Sequence, residues 1–68
     1  MTAIKPGLGV GDLIVLKTSF ATMRGVTFYP GQLGVVTFIE ECMLYSVLFG
    51  AEVVCCFRYE LELLASHE

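Results

Sequence analysis

The sequence has no tryptophan, a single histidine and only four basic residues among its 68 positions. The basic residues, Lys5, Lys17, Arg24 and Arg58, form no cluster, and the formal net charge is −3. Proteins that bind nucleic acids neutralise phosphates with grouped Lys and Arg side chains. The charge pattern therefore argues against a nucleic-acid-binding barrel, which we keep as the last of three alternatives.

Long apolar runs are also missing. The longest stretch without a charged residue extends from Gly25 to Ile39, and Pro30, Gln32 and three glycines interrupt it. A spanning helix needs about 20 mostly apolar residues, so we expect no membrane span. The first residues carry alternating glycines where an export signal would be apolar. Together with an odd number of cysteines, three, this predicts free thiols and a cytoplasmic location.

Side chains suited to catalysis or metal binding are few and scattered. The only histidine, His67, follows the last predicted strand, which is a poor place for a positioned base. A zinc site would have to combine it with Cys42, Cys55 and Cys56, yet the last two are strand neighbours that point to opposite faces. We expect buried structural thiols, no enzyme activity, no metal or other cofactor and no small-molecule substrate.

Apolar residues, by contrast, are abundant. Hydrophobic residues make up 56% of the chain and charged residues 16%, where about 25% charged is ordinary. A chain of this length buries only about 60% of its unfolded surface. We therefore expect another protein, or a second copy of this one, to cover part of the apolar surface.

Short apolar runs separated by turn residues predict an all-β domain. The predicted strands are Leu13–Leu16, Leu33–Ile39, Leu44–Phe49, Glu52–Phe57 and Leu61–Leu64. Gly50–Ala51 predicts a tight hairpin turn, Glu40–Met43 a connection, and Arg58–Glu60 a single helical turn. Gly34 inside a strand indicates a bulge or a close backbone approach.

The stretch Lys17–Gln32 has no clear period, and we interpret it as a long first loop, with a splayed hairpin as the alternative. These elements predict one small barrel over residues 11–64. A flexible segment is expected at residues 1–10 and a frayed tail at residues 65–68.

Four motifs in this pattern are shared with a known group of proteins. They are Gly11-Asp12-x-Ile14-x-Leu16, Gly31-x-x-Gly34-x-Val36, Tyr45-x-Val47-x-Phe49 and Phe57-x-x-x-Leu61-Glu62-x-Leu64. Together they resemble SH3-like barrels of the electron-transport accessory type. That group includes ferredoxin-docking subunits of photosystem I and of the photosynthetic NADH-dehydrogenase-like complex, and the variable chain of ferredoxin–thioredoxin reductase.

The resemblance implies a five-stranded SH3-like half-open barrel with a long first loop. It also implies an accessory subunit that docks on a larger assembly and carries no catalytic residues. Ferredoxin-docking members are expected to present basic residues to an acidic partner. Because this chain is acidic, ferredoxin binding is not carried over.

The candidate partner-binding residues lie mainly in the long loop. They are Phe20, Met23, Arg24, Val26, Phe28 and Tyr29, with Tyr45 and Tyr59 outside the loop. Aromatic residues, Met and Arg are enriched at interfaces, and a core this small cannot bury every large side chain of the loop. The alternative is that the loop folds over one mouth of the barrel and completes the core.

The sequence thus predicts a non-catalytic protein-interaction module. We expect a small accessory subunit, or an assembly or regulatory factor, that docks on a larger complex through the apolar loop. The second hypothesis is a structural protein that assembles with copies of itself, of host or phage origin.

Overall fold

The computed structural model describes residues 8–22, 24–41 and 43–66, and the side chain of Phe20 is not among those described. The strands are β1 (Leu13–Leu16), β2 (Phe20–Ala21), β3 (Thr27–Phe28), β4 (Leu33–Glu41), β5 (Leu44–Phe49), β6 (Glu52–Phe57) and β7 (Leu61–Ala65). A 3₁₀ turn at Arg58–Glu60 joins β6 to β7. Over the described residues there is no α-helix, and hence no helix that could cross a membrane.

Five of these strands form one antiparallel sheet in the order β6-β5-β4-β1-β7, and β2 pairs with β3 in a separate two-stranded sheet. The prediction of an all-β domain built on a five-stranded sheet is confirmed. Within the described ranges β6 and β7 lie at opposite edges and share no ladder, so the sheet is open.

Most element boundaries agree with the sequence prediction, and the differences have simple causes. β1, β5, β6 and the 3₁₀ turn have the predicted bounds, and β7 gains only Ala65. The expected connection at Glu40–Met43 was wrong in its first half, because β4 continues to Glu41, which pairs with Leu44. For Lys17–Gln32, which we interpreted as a long loop, the alternative of a splayed hairpin is correct, since β2 and β3 pair within it.

Two glycines set the geometry of the β4–β5–β6 region. Gly50 has φ +63° and is the first residue of the two-residue turn between β5 and β6, the position where a type II′ turn needs glycine. A side chain at Gly34 would place its Cβ 2.7 Å from Phe49 Cε1 and from Val47 Cγ1. Real Cβ atoms do not come so near, so Gly34 leaves room for the side chains of Phe49 and Val47 to pack on the backbone of β4.

The core lies between the inner face of the five-stranded sheet and the β2–β3 hairpin. Its buried members are Leu8, Ile14, Leu16, Phe28, Val36, Tyr45, Val47, Phe49, Cys56 and Leu61. The ring of Phe28, from β3, packs on that of Phe49 with centroids 5.2 Å apart. The hairpin therefore folds over the core, as the alternative interpretation of the loop proposed.

Both ends of the chain were expected to be loose, and the structure describes parts of each. Leu8, within the segment 1–10, is buried in the core, while residues 1–7 and 67–68 lie outside the described residues. Asp12 is buried, and its Oδ2 accepts a hydrogen bond from the Gly9 N–H at 2.7 Å. This bond closes the turn that leads the chain into β1.

Candidate functional site

The outer face of the five-stranded sheet carries a line of apolar residues from one edge to the other. Strand pairing places five residues in one line across it, one from each strand: Ala65, Leu13, Val35, Leu48 and Val53. We call this line the outer row. Val53 is 57% exposed and Val35 is 37% exposed, while Leu13 and Leu48 are half-buried.

Such an outer face is unusual for an antiparallel sheet. Sheets with one solvated face alternate apolar and polar residues along each strand, whereas strands covered on both faces read as continuous apolar runs. β1 and the stretch from Val53 to Phe57 are continuous runs of this kind. Single exposed apolar side chains are ordinary, but a contiguous patch marks a contact surface.

A second apolar patch lies at the end of the sheet where β6 meets the 3₁₀ turn. The rings of Phe57 and Tyr59 are stacked there, with centroids 5.6 Å apart and planes 6° apart. Tyr59 is 65% exposed. Phe38, on β4, is also exposed and pairs in register with Ser46. This patch continues the apolar character of the outer face.

The candidate residues of the long loop divide into two groups. Phe28 is 3% exposed, and Val26 is half-buried and packed against the core. Tyr29 is 63% exposed, and Arg24 is exposed and forms an ion pair with Glu52 of β6. The loop therefore presents Tyr29 and Arg24 outward, and its other described large side chains complete the core.

The remaining candidates also divide between the core and the surface. Tyr45 is 2% exposed, and its hydroxyl accepts a hydrogen bond from the Leu8 N–H at 3.2 Å, so it belongs to the core. Of the expected contact residues outside the loop, only Tyr59 reaches the surface. Met23 and the side chain of Phe20 lie outside the described part of the chain.

The two described thiols point to opposite faces of β6, as predicted from their adjacency. Cys56 is buried, and desolvation raises its pKa to about 12, with smaller contributions from Glu60 and Cys55. The expectation that all thiols are buried was wrong for Cys55, which is exposed on the outer face next to Ser46. Across the described ranges, no three His, Cys, Asp or Glu side chains are placed to hold a metal ion.

A cleft of about 490 Å³ separates β6 from the β2–β3 hairpin. Its lining residues are Ala21, Thr22, Arg24, Glu52, Val53, Val54 and Cys55. Because neighbouring residues of β6 from both sheet faces line it, the cleft follows the edge of the strand and not either face. The ion pair between Arg24 and Glu52 joins its two walls.

The backbone of β6 presents polar groups into this cleft. The two-residue turn pairs Phe49 with Glu52, so the backbone groups of Glu52 and of every second residue after it point towards β5. Arg58 continues this set, since its N–H donates to the Met43 carbonyl at 2.7 Å. Phe57 belongs to the other set, since its N–H donates to Glu60 Oε1 at 2.8 Å.

The backbone groups of Val53 and Cys55 therefore point away from β5. Within the described part of the chain, no other hydrogen bond reaches these N–H and C=O groups. Sequence reasoning missed this edge, because it requires the strand order. The one signal in the sequence is that Val53–Phe57 contains neither a charge nor a proline, the residues that usually protect an edge strand.

No family model, no curated protein and no solved structure matches this chain. The surface itself must then indicate the function. It offers an apolar outer row, an aromatic patch and the open edge of β6. These features suit contact with another polypeptide chain.

Proposed function

We propose that this chain is a non-catalytic protein-interaction module that docks on a larger protein assembly through the outer row. The observation that carries the proposal is that all five strands contribute an apolar residue to one line across the outer face. Burying apolar surface contributes roughly 25 cal/mol per Å². A partner that covers the row therefore buries apolar surface on every strand of the sheet.

We also propose that the fold is an SH3-like half-open barrel. Three observations support it: the first sheet strand lies between the second and the last, a hairpin occupies the long first loop, and a 3₁₀ turn precedes the last strand. The four sequence motifs that resemble this class lie in the same elements. The accessory role implied by that resemblance agrees with a domain whose apolar outer face needs a cover.

The proposed docking surface is the sheet face and not the long loop. Phe28 and Tyr45 are core side chains, and Val26 packs against the core, so they supply no contact surface. Tyr29 and Tyr59, the most exposed of the described aromatic residues, remain as contacts at the margin. Exposed aromatic side chains are frequent anchors at interfaces.

Self-assembly is the second candidate, and the same row favours it. The outer row carries no charge, so a copy related by a two-fold axis meets no like-charge repulsion along it. A stable dimer needs about 800 Å² buried on each partner. The row would then need the aromatic patch of Phe57 and Tyr59 to supply enough area.

The test compares three versions of the full-length protein as baits in cell extract. They are the wild type, the outer-row variant Val35→Glu/Val53→Glu, and a control, Thr18→Glu/Ser19→Glu, that adds the same charge at exposed positions elsewhere. We expect one set of proteins to be captured by the wild type and the control and to be lost with the outer-row variant. Identical capture by all three baits would contradict the proposal.

Absolute mass by light scattering over a dilution series separates the two candidates. A wild-type dimer that becomes monomeric only in the outer-row variant would favour self-assembly. A monomer in all three versions, with selective capture, favours a different partner protein. Circular dichroism of each variant provides the control for folding.

A further inference from the structure

β6 is an edge strand that lacks the usual protection against pairing. Natural proteins protect edges with lysine, proline, bulges or a covering element. β6 has no proline, lysine or register shift, and its one charged residue, Glu52, is already paired with Arg24. The β2–β3 hairpin flanks the edge but leaves a cleft of about 490 Å³ beside it. The edge is therefore chemically open along Val53 and Cys55.

The open stretch has defined ends. At the turn end, the ion pair between Arg24 and Glu52 crosses from the hairpin to β6. At the other end, the Glu60 carboxylate already accepts the Phe57 N–H. Between them lie two N–H and two C=O groups, those of Val53 and Cys55, over a length of about 13 Å at the usual rise per strand residue.

We propose that the cleft between β6 and the β2–β3 hairpin binds an extended, apolar peptide segment of a partner protein, which pairs with β6 as an additional strand of the sheet. The inference rests on the proposed function, because it names the kind of chain that the module recognises. Four backbone hydrogen bonds, two at Val53 and two at Cys55, hold the segment. Addition of a strand to an exposed sheet edge is a recurrent mode of peptide recognition.

The cleft binds a single extended segment whose backbone is unpaired on both sides, and not a second copy of this domain. Each strand of a folded sheet that could reach the cleft has a neighbour on its other side, and here that neighbour would meet the hairpin wall formed by Ala21 and Thr22. The open edge is also too short for a folded partner, since a strand of about four residues offers far less than the 800 Å² per side of a standard interface.

The chemistry of the walls selects the side chains of the segment. A residue placed opposite Val53 points to the outer face and extends the outer row by one position. The alternate side chains face the hairpin, where Ala21 and Thr22 leave only small contacts. Because Arg24 and Glu52 neutralise each other, we expect an uncharged, β-branched segment such as alternating valine and threonine.

The experiment titrates ¹⁵N-labelled full-length protein with a synthetic probe of alternating threonine and valine, capped by a lysine at each end for solubility. We expect the amide signals of Val53 and Cys55 to shift and their hydrogen exchange to slow on binding. Those of Val54 and Cys56 should change least, because their N–H groups already point to β5. No shift at millimolar peptide, or shifts centred elsewhere, would overturn the proposal.

A proline variant tests the hydrogen bonds themselves. Cys55→Pro removes one N–H that faces away from β5, which an edge strand tolerates. Cys55→Ala keeps that N–H and is the matched control. We expect Cys55→Pro to weaken binding of the probe at least about tenfold more than Cys55→Ala does, because only the proline variant removes the N–H. Equal binding by both variants would show that the edge is not the site.

A second control does not depend on the fold of any variant. The same probe with its valine nitrogens methylated cannot donate along one edge, so binding to the wild type should be lost whenever those nitrogens face β6. A probe methylated at the threonine nitrogens tests the opposite edge of the peptide. If the segment pairs with β6, one of these two methylated probes must lose binding. If both methylated probes bind as well as the parent, the proposal is overturned.

Val53 belongs to both the outer row and the cleft, so the variant that separates this inference from the proposed function is Val35→Glu alone, which changes the row and lies outside the cleft lining. If Val35→Glu loses cellular partners while Cys55→Pro keeps all of them, the module docks by its face and the edge inference is wrong. If the probe binds at the edge but no partner depends on the outer row, the edge site stands and the docking face is wrong.

Discussion

The inner and outer faces of the five-stranded sheet are built from the same kinds of residue. Val36 is fully buried and its neighbour Val35 is not; Cys56 is fully buried and its neighbour Cys55 is exposed. Strand geometry sends neighbours to opposite faces whatever their polarity. In most antiparallel sheets, polarity then reports which face is wet. Here it does not, because the outer row is apolar although Val35 and Val53 are exposed.

Neighbouring residues therefore provide matched pairs in which chemistry is similar and environment differs. Three such pairs, Phe28 and Tyr29 of the hairpin region, Val36 and Val35, and Cys56 and Cys55, each combine a buried residue with an exposed neighbour. A large difference supports the assignment of faces. Equal effects at the buried and the exposed position would contradict that assignment.

The largest effect is expected for the pair Phe28 and Tyr29. Phe28→Ala removes a buried ring that packs on Phe49, and such truncations cost about 3–5 kcal/mol. Because the core of so small a chain supplies only roughly 3–5 kcal/mol in all, we expect the variant to be unfolded. Tyr29→Ala, at an exposed position, should change the free energy of unfolding by less than about 0.5 kcal/mol.

Urea denaturation followed by circular dichroism measures both variants. A cooperative transition for Phe28→Ala close to that of the wild type would mean that the hairpin does not close the core. The long loop would then return as the main candidate for the docking surface.

This pair also shows where sequence reasoning ends. Turn residues and short apolar runs were enough to predict β1, β5 and β6 with their bounds, because local chemistry fixes those elements. The loop has no period, so nothing in the sequence distinguishes Phe28 from Tyr29. Their fates depend on how the hairpin folds over the sheet, which is a long-range property.

A smaller effect is expected at the pair Val36 and Val35. Val→Thr keeps the shape and adds a hydroxyl, which costs about 1–3 kcal/mol where it is buried without a partner. Val36→Thr should therefore lower the free energy of unfolding by that amount, and Val35→Thr should change it by less than about 0.5 kcal/mol. Urea midpoints at equal slopes give both values, and equal losses would contradict the assignment of an exposed outer row.

The candidate site was less predictable than the fold. The apolar excess indicated exposed apolar surface, which the structure has, while its cover by another protein stays a prediction. The outer row itself forms only because the strand order aligns Leu13, Val35, Leu48 and Val53. The cleft depends on the same order and on the position of the hairpin. Glu40–Glu41 misled the prediction because charge was taken to mark a turn, while both residues extend β4.

The smallest effect concerns Cys56 and Cys55, and it depends on pH. Burial raises the pKa of Cys56 from 9.0 to about 12, so the unfolded chain loses this proton at lower pH than the folded chain does. The stabilisation is complete below pH 9.0 and is lost as the pH rises towards 12. At a pH one unit above the unfolded pKa, the loss is about 1.4 kcal/mol.

This pH dependence is tested in three proteins by urea denaturation. The midpoints are recorded from neutral pH to one unit above the pKa of the Cys56 thiol in the unfolded chain. The wild type and Cys55→Ala should both lose stability as the pH rises, because both retain the buried thiol. In Cys56→Ala this thiol is absent, so its stability, lower at neutral pH because of the cavity, should fall less with pH. If Cys55→Ala is the variant with the flatter profile, the exposed thiol carries the linkage and the two faces of β6 have been assigned the wrong way round.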